Sequence, residues 1–342
     1  MRFHVVSLPH TETTQDYLWC AYTEKVRKFC NMMSDLGHEV ILYASQNNEA
    51  RCSELVICAN PALVEEKIPE FSSTNVHFWA MNVEVIEQMK SRLQEQDFIC
   101  LIAGIAQQPI AEAYPSHMSV EFGIGYSGTF AKYRVFESYA WMHTVYGQNS
   151  AHAADGRFFD AVIPNYWDPN DFPYSEDRGD YYLFIGRLID RKGFQLAADV
   201  CQYLDAPLKI AGDGTPPEYG EYVGVVNAEQ RGELMSKAIA VFVPTIYIEP
   251  FGGVHAEANL CGTPVITTDW GAFTETVTNG FNGYRCRTFK EFVEAAENVK
   301  HLDRQAIRSA AQQRFSMDVV AKQYEDYFLK LTTLWNKGFY EM

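Results

Sequence analysis

Two glutamates, Glu249 and Glu257, lie on either side of a glycine pair in the stretch IEPFGGVHAEANLCGTPVI. Gly252 and Gly253 precede a helical pattern that Gly262 ends, so Glu257 falls in about the first helical turn. Glycines ahead of a helix leave backbone N–H groups uncovered, and such groups bind anions such as phosphate. Carboxylates beside a phosphate would repel it. Both glutamates are therefore expected to face hydroxyl groups, one set on a sugar and the other on a ribose.

A structural role for Glu257 is an equal alternative when that residue is taken alone. A glutamate in the first turn of a helix is favoured by roughly 0.3–1 kcal/mol without any ligand. The neighbouring glycines and the cations in the same half of the chain favour the interpretation that Glu257 binds a ligand.

Two cations follow a second apolar strand pattern. In LFIGRLIDRKGF the strand ends at Gly186, and Arg187 and Lys192 lie in the loop after it. A planar guanidinium and a compact ammonium at one strand end can converge on a diphosphate. Taken alone, this loop is equally compatible with two charged side chains that contact only solvent. In IAGDGTPPEY, Gly212 again follows a strand, which by itself is a weak signal.

The elements that must position these residues alternate between strands and helices. In the first half, FHVVSL, SELVICA, NVHFWAM, FICLIAG and MSVEFGI are predicted strands, with an amphipathic helix before Gly37 and another helix over 131–146. The Pro- and Asp-rich segment 162–180 has the composition of a connector. After it the strand and helix alternation restarts. The pattern predicts two doubly wound α/β domains whose ligands lie at the carboxyl ends of parallel strands.

Composition limits the class of protein. The 342 residues suit two domains of about 150 residues, and 47% hydrophobic with 21% charged residues is typical of a globular protein. A net charge of -16 without a basic patch disfavours binding to nucleic acids and to anionic membranes. The eight cysteines form no CxxC pair, so neither a zinc site nor a redox motif is predicted. No signal peptide or spanning segment is predicted, and we expect a cytoplasmic protein.

The segments GRLIDRKG, AGDG and EPFGGVHAEANLCGTPVI, followed by GAFTETVTNGFNGY, together resemble the nucleotide-sugar domain of retaining glycosyltransferases of family four. Glu249 to Glu257 matches the E-x7-E motif of that family. The match is dense over 180–290 and is confined to architecture over 1–160. The resemblance implies the GT-B fold, in which two Rossmann-like domains face a cleft.

The resemblance also implies how the chain is divided. Residues 1–165 would form the acceptor-side domain, and 166–317 the domain that binds the nucleotide sugar. A carboxyl-terminal helix at about 318–342 would pack back onto the first domain.

Roles follow from the resemblance for the motif residues. Arg187 and Lys192 would hold the donor diphosphate and stabilise the charge that develops as the glycosidic bond breaks. Glu249 would contact hydroxyls of the transferred sugar, and Glu257 would accept hydrogen bonds from the ribose. The remaining donor-binding residues would be Gly186, Gly212, Phe251, Gly252, Gly253 and Val254. No cofactor and no metal are expected. The co-substrate would be a nucleoside diphosphate sugar, with a UDP-sugar as the default, and the acceptor a hydroxyl of a glycan.

The chain departs from the family on the acceptor side. The segment SLPHTETTQDYLWCAYT, after the first strand, lacks the usual glycine-rich loop, and VEFGIGYSG stands where many relatives have a histidine. Gly125 and Tyr126 are candidates to shape the acceptor site, although a plain turn is an equal alternative. Four histidines are candidate substitutes for the missing one, with a slight preference for the first: His10, His117, His143 and His152.

Other functions stay open at the level of sequence. One is another enzyme of the same fold, such as a phosphorylase or an epimerase of nucleotide sugars. A second is a non-catalytic protein that binds nucleotide sugars or glycans. A third is glycosylation of a modified DNA base, which the acidity of the chain disfavours.

Overall fold

The chain forms two compact units in the computed structural model, which describes residues 1–17, 20–60, 62, 64, 71–148 and 154–335. Unit 1 comprises Met1–Glu137, Met142–Tyr166 and the chain from Met317 onward. Unit 2 comprises Ser138–Trp141 and Trp167–Ser316.

Unit 1 contains a parallel sheet of seven described strands in the order β3-β2-β1-β4-β5-β6-β7. The five inner strands are almost wholly buried, as expected for a parallel sheet covered on both faces, whereas the two outer strands are partly exposed. Their bounds are β1 Arg2–Val6, β2 Glu39–Ala44, β3 Glu54–Ile57, β4 Phe98–Leu101, β5 Met118–Ile124, β6 Tyr133–Phe136 and β7 Asp160–Val162.

The first and the last described helices of unit 1 pack apolar faces on this sheet. Phe29 from the first helix contacts Phe122 of β5, with ring centroids 4.4 Å apart. Phe328 from the last helix lies 4.7 Å from Phe3 of β1 by the same measure. The sheet is thus covered by helices from both ends of the sequence. Their bounds are α1 Ala21–Asp35, α2 Val76–Met89, α3 Gln108–Ala113, α4 Tyr139–Gln148, whose first three residues belong to unit 2, and α11 Met317–Thr332.

Unit 2 has a parallel sheet of six described strands in the order β10-β9-β8-β11-β12-β13. Its strands are β8 Tyr182–Ile185, β9 Leu208–Ala211, β10 Glu221–Gly224, β11 Val241–Val243, β12 Val265–Thr268 and β13 Gly283–Cys286. Its helices are α5 Phe194–Tyr203, α6 Ala228–Lys237, α7 Gly253–Leu260, α8 Phe273–Thr276, α9 Phe289–Asn298 and α10 Arg304–Phe315.

Two sequence predictions of secondary structure are wrong. The run NVHFWAM is not a strand, because the Asn75 side chain accepts a hydrogen bond from the His77 amide and caps the start of α2. The segment 131–146 is not one helix, because its first part forms the buried strand β6 and α4 begins only at Tyr139. A short apolar run fits either element, and the position of β6 inside the sheet decides the outcome.

Two of the chain segments that connect the units lie side by side in unit 2. Trp167 pairs with Ser316 in a parallel bridge, and the Trp167 amide donates to the carbonyl of Phe315 at 2.9 Å.

Over the residues that the structure describes, every helix is too short or too polar to cross a membrane.

Candidate active site

The predicted site residues of unit 2 lie at the carboxyl edge of its sheet. Strands β9, β8, β11 and β12 are consecutive neighbours, and the loops after them occupy 212–220, 186–193, 244–252 and 269–272. Parallel strands end at the same edge, so these four loops converge. The loop after β11 carries Glu249 and leads into α7, which carries Glu257.

Lys192 and Glu249 form the centre of this edge. Lys192 ends the short 3₁₀ turn Asp190–Lys192, and its Nζ lies 3.1 Å from Glu249 Oε2. The same ammonium donates to the hydroxyl of Tyr247 at 2.7 Å. Glu249 is buried, and Arg187 is exposed with no described partner for its guanidinium. The Arg187 guanidinium can therefore bind an anion, whereas the Glu249 carboxylate is already held by Lys192.

The backbone of Glu249 is clamped by a second loop. The Ala272 amide donates to the Glu249 carbonyl at 3.1 Å. Gly252, with φ +77°, caps α7, and a Cβ there would lie 2.6 Å from the Phe273 ring. His255 is buried, and its Nδ1 donates to the Gly252 carbonyl at 2.6 Å. Burial lowers the pKa of His255 to about 4, so the ring is neutral and has one N–H to give.

Glu257 is held on one side only. It is the fifth residue of α7, further along the helix than the sequence suggested, and it is buried. Its Oε1 accepts from the indole N–H of Trp167 at 3.3 Å and pairs with Arg231 at 3.4 Å. Its Oε2 is buried without a partner among the described residues. A buried acceptor without a donor is uncommon and suits a ligand hydroxyl.

At the start of α7, main-chain amides rather than side chains are available to a ligand. Phe251 is buried, with its ring 5.7 Å from that of Trp167, so only its main chain can face a ligand. Gly253 and Val254 open the helix, and their amides have no intrahelical acceptor. These N–H groups and the helix dipole favour a bound anion.

Gly186 and Gly212 let two neighbouring loops touch. The Gly186 amide donates to the Ala211 carbonyl at 3.0 Å. Gly212 has φ +142°, and a Cβ at this position would lie 1.8 Å from the Gly186 oxygen. No side chain fits between these two loops, so glycine is required for their close approach.

In unit 1, Gly125 and Tyr126 follow β5 at the carboxyl edge of its sheet. The Tyr126 hydroxyl donates to Glu121 at 3.2 Å, and the same carboxyl accepts from the amides of Phe130 and Ala131 at 2.9 and 2.8 Å. Burial raises the pKa of Glu121 to about 7, although these hydrogen bonds oppose the shift. The loop with the two candidates is thus anchored by one buried carboxyl.

The histidine candidates fall in different places. His10 is buried beside Phe71, its Nδ1 has no described partner, and burial lowers its pKa to about 4. His117 precedes β5, at the opposite edge of the sheet from Tyr126. His143 lies on the exposed face of α4, and His152 is outside the described residues. Among them, only His10 lies after the carboxyl end of a described strand.

Three residues of the site were missed by the sequence analysis. Trp167 and Arg231 contact Glu257 from segments far away in sequence, and no local pattern indicates those contacts. Tyr247 could have been found, because it lies two positions before Glu249 in the same motif. Within the described ranges no group of three or more His, Cys, Asp or Glu side chains is arranged to hold a metal ion.

Comparisons with known proteins show what the chain is similar to. The family model of glycosyl transferases group 1 matches residues 170–314. An uncharacterized glycosyltransferase of Methanocaldococcus jannaschii is 32% identical over 118 residues, which cover 30% of each chain. The matched segments span about a third of the length of such curated relatives.

Two solved structures match nearly the whole chain. AviGT4, a glycosyltransferase involved in avilamycin A biosynthesis, gives a TM-score of 0.72 at 20% identity and covers 97% of this chain and 98% of its own. Anabaena HepE in complex with UDP and glucose gives 0.67 at 16% identity and covers 98% of this chain and 100% of its own.

The fold is therefore that of the GT-B glycosyltransferases, as the sequence predicted. Residues 170–314, less than half of the chain, match the model of the glycosyl transferases group 1 family. This match confirms the predicted resemblance to glycosyltransferases and the predicted transferase class. The individual site residues and their roles stay predictions.

Proposed function

We propose that this chain transfers a sugar from a nucleoside diphosphate sugar to a hydroxyl of a glycan or glycoconjugate, with retained anomeric configuration. The observation that carries the proposal is the ion pair of Lys192 and Glu249 at the edge of the sheet of unit 2 where α7, the helix of Glu257, begins. The cations, the backbone amides of α7 and the unpaired carboxylate oxygen supply the partners that a diphosphate and a ribose need.

The donor would be bound by groups of opposite character. Arg187, Lys192 and the amides at the start of α7 bind the diphosphate, because all of them donate hydrogen bonds and carry positive charge or potential. Glu249 accepts hydrogen bonds from hydroxyls of the transferred sugar, and Glu257 Oε2 accepts one from the ribose. UDP is the default nucleotide, since HepE was solved with UDP and glucose.

The transfer step breaks the bond between the anomeric carbon and the diphosphate oxygen, and the nucleoside diphosphate leaves with the electron pair. The acceptor hydroxyl forms its bond to the same face of that carbon, and its proton passes to the departing phosphate oxygen. Arg187, Lys192 and the dipole of α7 stabilise the negative charge on the leaving group. These cationic groups take the part that a metal ion plays elsewhere.

Release of free nucleotide from UDP-, GDP-, ADP- and dTDP-sugars tests the proposal. The wild type should turn over one donor slowly with water as acceptor, and Glu249→Ala should lose at least about 100-fold of that rate, as when a transition-state contact is removed. Glu294→Ala, at an exposed glutamate of α9, is the matched control and should keep the wild-type rate. If no donor is turned over or bound, the chain is a non-catalytic protein and the proposal fails.

A further inference from the structure

Tyr247 lies where the two loops with opposite charges meet. It belongs to the loop between β11 and α7, and its hydroxyl accepts from Lys192 Nζ at 2.7 Å. The Arg191 guanidinium covers the face of its ring, with Cζ 4.0 Å from the ring centroid. One tyrosine therefore contacts two consecutive cations, each by a different kind of interaction.

The backbone around Tyr247 is fixed independently of its side chain. The indole N–H of Trp270 is shared between the carbonyls of Thr245 and Tyr247, at 3.1 Å from each. The Ile246 amide donates to the Arg191 carbonyl at 2.9 Å. Because these bonds hold both loops together, the Tyr247 side chain is not needed to keep the loops in contact.

The hydroxyl of Tyr247 and the carboxylate of Glu249 share the Lys192 ammonium, at 2.7 and 3.1 Å. Burial raises the pKa of Tyr247, and the charge of Glu249 and a hydrogen bond to it act in the same direction. The hydroxyl is therefore neutral at physiological pH. It can accept from the ammonium and donate to the carboxylate at the same time.

We propose that Tyr247 is a positioning residue for the transfer step and that its side chain aims Lys192 and Arg191 at the donor diphosphate. Lys192 has four flexible bonds and a strong carboxylate partner in Glu249, 3.1 Å away. Without a second acceptor the ammonium would turn fully to Glu249 and leave the phosphate. The hydroxyl keeps it between the two, and the ring holds Arg191 extended beside it. This inference rests on the proposed function of the same site.

Two substitutions separate the two contacts. Tyr247→Phe removes the hydroxyl and keeps the ring, so kcat for donor turnover should fall roughly tenfold or more while the KM for donor changes less than about threefold. Tyr247→Leu also removes the platform for Arg191, and it should in addition raise the KM for donor. Tyr203→Phe, at an exposed tyrosine of α5, is the control and should behave as wild type.

A double-mutant cycle distinguishes positioning from a merely structural role. If Tyr247 acts through Lys192, Tyr247→Phe should cost nothing further in a Lys192→Met background. Additive losses, or an unchanged kcat in Tyr247→Phe, would overturn the inference while donor turnover by wild type keeps the proposed function. Calorimetric titration with UDP and thermal melting of each variant show whether the site is still folded. If Tyr247→Leu melts early, Tyr247→Phe and the cycle decide alone.

Discussion

Glu121 is a carboxyl that is wholly buried on β5, near the loop with Gly125 and Tyr126. Its partners are one hydroxyl and two backbone amides, and Arg134 lies close enough to lower its pKa slightly. Burial outweighs these donors, because a desolvated charge costs more than its hydrogen bonds return. Near pH 7 the neutral and ionised forms of this carboxyl are therefore about equally populated.

The raised pKa of Glu121 makes the stability of the fold depend on pH. The pKa of Glu121 is about 7 in the folded chain against an ordinary 4.5, so its contribution to stability is present below pH 4.5 and is lost as pH rises to 7. In Glu121→Gln this loss is absent. The unfolding free energy of the variant relative to wild type should rise by on the order of 2 kcal/mol between pH 5 and pH 8.

Urea denaturation at the two pH values measures this difference. Glu112→Gln, at an exposed glutamate of the same unit, is the matched control and should show no such rise. A variant whose relative stability is flat with pH would mean that Glu121 is ionised in the fold throughout this range.

The loops after β8 and β9 make close backbone contacts that are possible only because glycine has no Cβ. Gly212 packs its Cα against Gly186, and Gly193, with φ +72°, would place a Cβ 2.1 Å from the carbonyl oxygen of Pro244. Both contacts lie between backbones, which cannot turn away as a flexible side chain would. The geometry of these loops thus follows from glycine at fixed positions.

Gly212→Ala should therefore separate the loops. The added Cβ would lie 1.8 Å from the Gly186 oxygen, so unit 2 should lose roughly 2–4 kcal/mol and donor binding should weaken. In contrast, Gly147→Ala in α4 meets no atom within 4 Å and should stabilise the chain by up to about 1 kcal/mol. Thermal melting and UDP titration of both variants check the pair. Equal melting temperatures for the two would show that the loops adapt.

The sequence was informative wherever a pattern is local. Strand and helix alternation in unit 2, the glycines of its loops and the E-x7-E spacing all lie within short windows, and the parallel sheet follows from them. β6 and the start of α2 were missed, because burial in the sheet and the Asn75 cap decide those segments. The contacts of Trp167 and Arg231 with Glu257 join distant segments and only the fold reveals them.

At the scale of the whole molecule, the last described helix belongs to the first unit. α11 inserts Tyr324 and Phe328 into the core of unit 1, where Phe328 contacts Phe3, Phe29 and Phe98. Phe328 is wholly buried, whereas its neighbour Leu329 is about half exposed at 49%. Unit 1 is therefore complete only when this helix is in place.

Phe328→Ala should destabilise unit 1 by about 3–5 kcal/mol, because it leaves a cavity among aromatic rings. Leu329→Ala on the same helix should change stability by less than about 0.5 kcal/mol. Limited proteolysis with mass spectrometry should find new cleavage sites in unit 1 of the first variant, with unit 2 unchanged. Equal sensitivity of both units would mean that they unfold together.

The place of α11 in unit 1 has a consequence for the order of events on the ribosome. All of the chain assigned to unit 2 emerges before this helix does. Unit 2 can close its sheet during translation, since domains generally fold as units as they are made. The amino-terminal part of unit 1 is synthesised first, but its core is complete only with α11. The aromatic face around Phe98 is therefore uncovered until this helix is made. That face is where a nascent chain would need a chaperone.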